Sequence, residues 1–369
     1  MPYYLKHRFD PDFNHLKRKP SEREDGRLDH YNLNYVQNVL KGDVLAEWQE
    51  VTEHDAAELD QRFLYPKKVF PKGARVEVNP ENPDQLLAAD DGYVFYDAGH
   101  IRVKKLLNVR QDVDFSTGNI SFVNNMVVHG AVSTGFRVQA KNVLVRGTVD
   151  AGTVTALESI VCEGGVKGGD KGVLDAGKTV KLNWCEKALI HAGLNVLVEN
   201  HCLHSRVYAG RRLHVRGRFM GGVAFCHDHA CVEGGLGGPG EVETEIALGY
   251  NPRLLYKDRL IIYSLRALRA RLQQCEMQVA KGKDLAEEFA PQVEDTLQRI
   301  ATFEAARQRI WERIQASERL ESCRLAVPGR AYPGVEVSIG PAFLILDQDV
   351  ENVHFRYEDG EIAMGSPAI

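Results

Sequence analysis

The sequence has no run of about 18 apolar residues, the least a membrane-spanning helix needs. Met1-Pro2-Tyr3-Tyr4-Leu5 leads straight into Lys6, His7, Arg8 and Asp10, without an apolar leader core. These absences predict a cytoplasmic protein with no membrane span. No Cys-x-x-Cys pair occurs, and the seven cysteines are an odd number. A redox motif and a closed disulfide framework are therefore not expected, and free, partly buried thiols are. The formal charge is only −5, which gives no overall pull toward nucleic acid or anionic lipid.

Glycine, by contrast, is plentiful at 33 residues, and its spacing is regular. Val127 to Val132, Leu144 to Val149 and Val161 to Val166 share one pattern, with Gly130, Gly147 and Gly164 placed 17 residues apart. A second pattern puts an apolar residue two positions before an alanine, at Val138/Ala140, Val154/Ala156, Leu174/Ala176, Ile190/Ala192 and Val207/Ala209. An insertion around Gly168–Gly172 stretches one step. Such a period has no 3.6-residue stripe and is crowded with β-branched residues. Strands this short cannot bury their apolar side alone, but stacked coils share one continuous core. The repeat thus predicts a mainly β protein, a right-handed parallel β-helix of about six to seven roughly triangular coils. Glycines are expected at corners of positive φ, and alanines where the interior is crowded.

After Gly249-Tyr250-Asn251-Pro252 the pattern changes. Ile261, Leu265, Leu268, Leu272, Cys275 and Val279 advance in steps of four and three, as a coiled-coil seam does. Lys281-Gly282-Lys283 breaks the run, and Phe289, Val293, Leu297, Ile300, Phe303, Ile310 and Ile314 form a second one. Pro291 predicts a kink or a late helix start. Two such helices joined by a short turn make an antiparallel hairpin roughly 45 Å long. Strand patterns return in Val335, Val337 and Ile339, with a turn at Glu358-Asp359-Gly360. The expected organisation is a charged, loosely ordered tail over 1–30 and a small β-rich N-terminal domain over 31–115. The β-helix follows over 116–248 and the helical hairpin over 249–322, and strands over 323–369 rejoin the β-helix.

Asp112-Val113-Asp114, continuing through Thr117-Gly118-Asn119-Ile120 into the glycine-spaced coils, resembles the flagellar assembly protein A family. Arg330-Ala331-Tyr332-Pro333-Gly334 resembles that family's motif after the helical insert. The resemblance extends from about residue 40 to the end, with Asn124-Asn125 standing where the family has a glycine. It implies a bacterial polymer-forming β-helix protein linked to flagellar assembly or cell-surface organisation. The coils are also similar to the C-terminal β-helix of the septum-site cell-division inhibitor and to bactofilins.

Among chemistry-bearing residues, Cys226, His227, His229 and Cys231 form the sharpest cluster of zinc-type ligands. Strand alternation sends neighbours to opposite faces, so a coil edge with solvent-facing histidines is expected there. Cys185 and Cys202, 17 residues apart, are read as stacked free thiols. Arg211, Arg212, His214, Arg216 and Arg218 lack the interleaved aromatics of a single-strand nucleic-acid platform. Gly234 to Gly240 lacks the Lys-Ser/Thr of a phosphate loop and is read as a hinge before the hairpin. No catalytic, cofactor-binding or metal-binding residue is assigned. The sequence reads as a non-enzymatic scaffold with protein partners, self-associating through the β-helix or the hairpin, with no nucleic acid expected. The alternative is a carbohydrate-active or transferase enzyme on a β-helix, which a row of stacked carboxylates would favour.

Overall fold

A computed structural model describes residues 2–14, 21–22, 28–29, 31–240, 242–280, 283–314 and 319–368. The chain divides into two compact units, Met1–Leu189 and Ile190–Ile369. The protein is mainly β: a small antiparallel N-terminal sheet domain, a parallel β-solenoid of about eight turns and a helical pair.

The first unit opens with strand Tyr3–His7, which pairs antiparallel with Val44–Glu50. The described opening residues are therefore part of a sheet, where a loose tail was expected. Leu64–Tyr65, Gln85–Ala88 and Val76–Val78 complete five strands, and Asn38–Val39, Gly92–Asp97 and His100–Lys104 form a second sheet. Their alternating inward residues, including Leu5, Leu45, Leu86, Ile101 and Val103, are fully buried around Trp48 and Phe63. Each such side chain contributes about 1.5–3 kcal/mol.

His7 sits in this core, its ring 4.3 Å from that of Phe63 and 5.2 Å from that of Phe9. Burial, partly opposed by Asp60 and assisted by Arg62, pushes its pKa down to about 4. The folded state therefore holds His7 neutral while the unfolded chain protonates near 6.5. The resulting stability is complete above that value and is lost as pH falls toward 4. With allowance for the ring's partial exposure, about 2 kcal/mol should disappear over that window. Denaturant titrations at pH 7 and pH 4.5 should show the loss in the wild type and a smaller one in His7→Phe.

The solenoid strands of this unit lie on three faces. Leu106–Val109, Asn125–Val128, Asn142–Val145, Ser159–Cys162 and Thr179–Leu182 stack in parallel register. They put Met126, Val143, Ile160 and Val180 in one buried column. A second face stacks Ile120, Val138, Val154 and Leu174, with Ala140, Ala156 and Ala176 beside them. The third aligns Val113, Val132, Val149 and Val166. The first parallel strand thus begins at Leu106, ahead of residue 116 where the β-helix was expected to start.

The glycine column has a different cause from the one expected. Gly130, Gly147 and Gly164 do not adopt positive φ. A Cβ on Gly147 would lie 2.4 Å from the Gly130 carbonyl oxygen, and one on Gly164 would lie 2.3 Å from that of Gly147. Close approach of successive coils, not corner geometry, requires glycine here. The lead-in motif starts this column: the Asp112 carboxylate accepts the Ala131 amide at 2.7 Å. Asp114 accepts both the amide and the hydroxyl of Ser116 at 2.7 Å, and Thr117 is buried beneath the turn.

In the second unit Asn195–Val198, Arg212–Val215 and His229–Val232 stack in parallel, and His229–Cys231 then pairs with Arg324–Ala326. Cys202–Ala209, Arg218–Cys226, Thr244–Leu248 and Val335–Ile339 form another parallel face. The Gly234–Gly240 stretch is not a hinge. Gly235–Leu236 pairs with Arg218–Phe219 and with Arg330–Ala331 as part of a coil. Beyond Ile339 the pairing becomes antiparallel, with Ala342–Ile345 on Val335–Ile339 and Val350–Glu358 on Arg324–Ala331.

Candidate functional site

The Cys226 to Cys231 cluster is divided by the strand's own alternation. Cys226 is buried in register with Ala209 and Leu248. Its thiol donates to the carbonyls of Arg211 and His229 at 3.2 and 3.0 Å, and burial pushes its pKa up to about 12. His229 points outward, Ala230 inward and Cys231 outward. His227 is hydrogen-bonded to Asp228, which also accepts from Arg211 at 3.3 Å. Despite the cost of its partial burial, Asp228 is held below the usual carboxylate range by these two partners. Among the described residues no group of three His, Cys, Asp or Glu side chains converges as a metal would require.

All seven cysteines, Cys185 and Cys202 included, are free thiols, and only Cys231 is not fully buried. Burial also pushes Cys162 and Cys323 up to about 11. At neutral pH an alkylating reagent should modify Cys231 first, and the others at rates limited by unfolding. Peptide mapping of a time course measures this order.

Three members of the arginine-rich strand are paired across coils. Arg211 pairs with Asp228, His214 with Glu233 at 2.6 Å, and Arg216 with Glu199. Stacked acids occur at Glu245 and Glu336, where burial and then the Glu336 charge raise the Glu245 carboxyl above its ordinary range. In register they are flanked by Val223 and Ile345. The row therefore ends after two acids, short of a groove lined by carboxylates over several coils.

The helical pair is built more purposefully. Its two ends meet at one coil corner, where the His227 carbonyl accepts from the Gly249 amide at 3.1 Å and from the Cys323 thiol at 3.3 Å. The first helix, Pro252–Val279, starts under an Asn251 cap with proline at its first position. Tyr256 stacks on His191 at 4.1 Å and leans on Tyr208, fixing the base. Buried Asp258 accepts from Arg307 Nε and Trp311 Nε1, both at 2.9 Å, and ties the second helix, Lys283–Trp311, to the first. With Arg269–Glu304 at 2.8 Å, these pairs define an antiparallel arrangement.

The helices pack through Ile261, Leu265, Leu268 and Leu272 against Ile300 and Phe303. The second helix runs through Pro291 rather than beginning after it. Between Val293 and Ile300 the buried position is Thr296, at 0% exposure, and not Leu297, which is 49% exposed. The turn residues Lys281 and Gly282 lie outside the described residues. Leu297 joins Val279, Ala280, Ala290 and Val293 around an apolar groove of about 370 Å³, with Glu276 and Glu294 on its rim. Met277 and Trp311 are also about half exposed.

Another grouping had no motif to announce it. Arg75, Lys104, Lys105 and Arg110 surround a cleft of about 740 Å³ with Tyr35 and Tyr93. These six residues come from five stretches of the first unit, so only the adjacent Lys104-Lys105 pair was visible as a local signal.

The fold is therefore that of a parallel β-solenoid carrying a helical pair anchored at one coil corner. Residues 105–362, more than half of the chain, match the Flagellar Assembly Protein A beta solenoid domain. The chain belongs to that family. No curated protein and no solved structure matches it.

Proposed function

We propose that the chain is a non-enzymatic cytoplasmic scaffold of flagellar assembly that presents its helical hairpin for protein–protein contact and self-associates through it. One observation carries this reading. The hairpin is held rigidly at its base by the Tyr256 stack and the Asp258 clamp, yet leaves Leu297 and Met277 exposed beside an apolar groove. Fixing a helical pair while leaving such side chains uncovered suits a contact surface. Free thiols favour a reducing compartment, and no described helix is long and apolar enough to cross a membrane.

Open coil ends would invite end-to-end stacking, but covers over part of the first coil and over the last one argue for association through the hairpin instead. At the first coil the Asn119 amide donates to the Tyr31 carbonyl at 2.6 Å, and the Asn38 amide side chain to the Ser121 carbonyl at 2.8 Å. Asn124, in the family's glycine position, reaches the Asp91 carbonyl at 3.0 Å. At the other end the antiparallel strands Ala342–Ile345 and Val350–Glu358 close the stack.

Light scattering across a concentration series tests the reading. It compares the full chain, Leu297→Glu and a chain whose residues 252–322 are replaced by a short Gly-Ser link. The mass of the full chain should rise with concentration, while the other two stay monomeric. Equal association without the hairpin, or a full chain that is monomeric throughout, would overturn hairpin-driven assembly.

A further inference from the structure

We infer that the cleft of the first unit is a docking site for an extended acidic segment of a partner protein, which adds as a strand to the edge of the first coil. The inference concerns the first unit alone and does not depend on the hairpin reading.

Three observations meet there. Among the described residues, strand Leu106–Val109 pairs with Asn125–Val128 and with no strand on its other side. The Val109 carbonyl accepts the His129 amide toward that partner. Main-chain groups alternate sides along a strand, so those of Asn108 face the far edge. The rim of the same coil at Ile120–Ser121 is covered by Tyr31 and Asn38, whereas the rim at Leu106–Val109 opens onto the cleft, which Leu106 and Asn108 line. An exposed edge in a concave site is the geometry for strand addition, with main-chain bonds supplying affinity and side chains specificity.

The charge of the cleft selects the partner. Arg75 and Lys105 share one carboxylate, Asp90, at 3.5 and 3.0 Å. Lys104 lies over the Phe95 ring at 4.7 Å, and Arg110 is exposed, with no carboxylate within ion-pair distance among the described residues. Among the described residues, four cations against one acid complement a strand with carboxylates on alternate positions. Tyr35 and Tyr93 also line the adjoining hollow with Phe13 and Tyr96, and Asp97 there is engaged by Arg102 at 3.2 Å. That hollow gives the strand an apolar anchor beyond its charged stretch.

The test uses the full chain and a fluorescent peptide alternating glutamate and valine. A lysine–valine peptide and inorganic tripolyphosphate serve as controls, and binding is read by anisotropy. The glutamate–valine peptide should bind and the lysine–valine peptide should not. Lys104→Glu/Arg110→Glu should weaken binding by at least about tenfold. Asn108→Pro removes an edge amide, a change that edge strands tolerate, together with the 3.4 Å contact of its side-chain oxygen with His129 Nε2. It should weaken peptide binding by about tenfold with an unchanged thermal melt. Should that melt shift, Asn108→Asp, which keeps the amide but repels acid, should still weaken binding. Loss of binding in the charge variants but not in Asn108→Pro, or equal affinity for tripolyphosphate, would reduce the site to an anion patch and overturn strand addition. Absence of peptide binding would overturn it as well. So would concentration-dependent dimerisation abolished by these same variants, since the occupant would then be a second copy of the chain.

Discussion

Gly147→Ala is expected to lower the stability of the first unit by more than about 3 kcal/mol, a large effect for one methyl group. The added carbon would lie 2.4 Å from the Gly130 oxygen, 2.5 Å from its carbonyl carbon and 2.7 Å from the Ala131 nitrogen. All three are backbone atoms of the preceding coil, so no side chain can move aside to relieve the contact. The coils must separate, which strains the 2.9 Å bond from the Arg146 amide to the Val128 carbonyl and opens the Val128–Val145 column. Gly135 provides the control. It adopts φ +84 with nothing within 4 Å of an added carbon, so Gly135→Ala should cost only the left-handed backbone strain, about 1 kcal/mol. Urea titrations of the two variants distinguish crowding from conformation, and equal losses would refute the crowding explanation.

Asp258→Ala should release the helical hairpin. The carboxylate is almost fully buried and satisfies both Arg307 and Trp311. Removing it leaves the guanidinium and the indole N–H without their acceptor. Arg307 is partly exposed and regains water, which limits the loss to about 2–3 kcal/mol. This interaction ties the second helix to the base of the first, so the damage should stay local. Hydrogen exchange should accelerate across Pro252–Trp311 while the Val196, Leu213 and Ala230 strands keep their protection. Uniform acceleration through those strands would show that the clamp supports more than the hairpin.

The solenoid was legible because every coil must offer inward aliphatic residues at fixed intervals. The Met126–Val143–Ile160–Val180 column obeys that requirement residue by residue. The lead-in motif was legible too, since Asp112, Asp114 and Thr117 each satisfy main-chain groups that would otherwise be left unpaired at the start of the stack. The glycine spacing was visible, but its cause was not: a close approach between coils and a turn of positive φ both demand glycine. At Leu297 the heptad was ambiguous. From Val293 to Ile300, steps of four then three and of three then four both keep a seam, and apolarity alone favours Leu297 over Thr296. The Tyr3–His7 strand escaped notice because its partner, Val44–Glu50, lies far along the chain and five residues carry too short an alternation. The cationic cleft was hidden for a related reason. Arg75, Tyr93, Lys104 and Arg110 belong to separate stretches whose convergence depends on how the N-terminal sheets meet the first coil.

Genetic complementation tests the central claim most directly: that this β-solenoid serves flagellar assembly through its hairpin. A strain lacking the chain would receive either the intact sequence or the version with residues 252–322 replaced by a short link. The two hairpin ends meet at the His227 carbonyl, so the shortened solenoid should fold and accumulate, which immunoblotting verifies. The intact chain should restore filament number and swimming, and the shortened chain should restore neither. Full restoration by the hairpin-less chain would contradict this account.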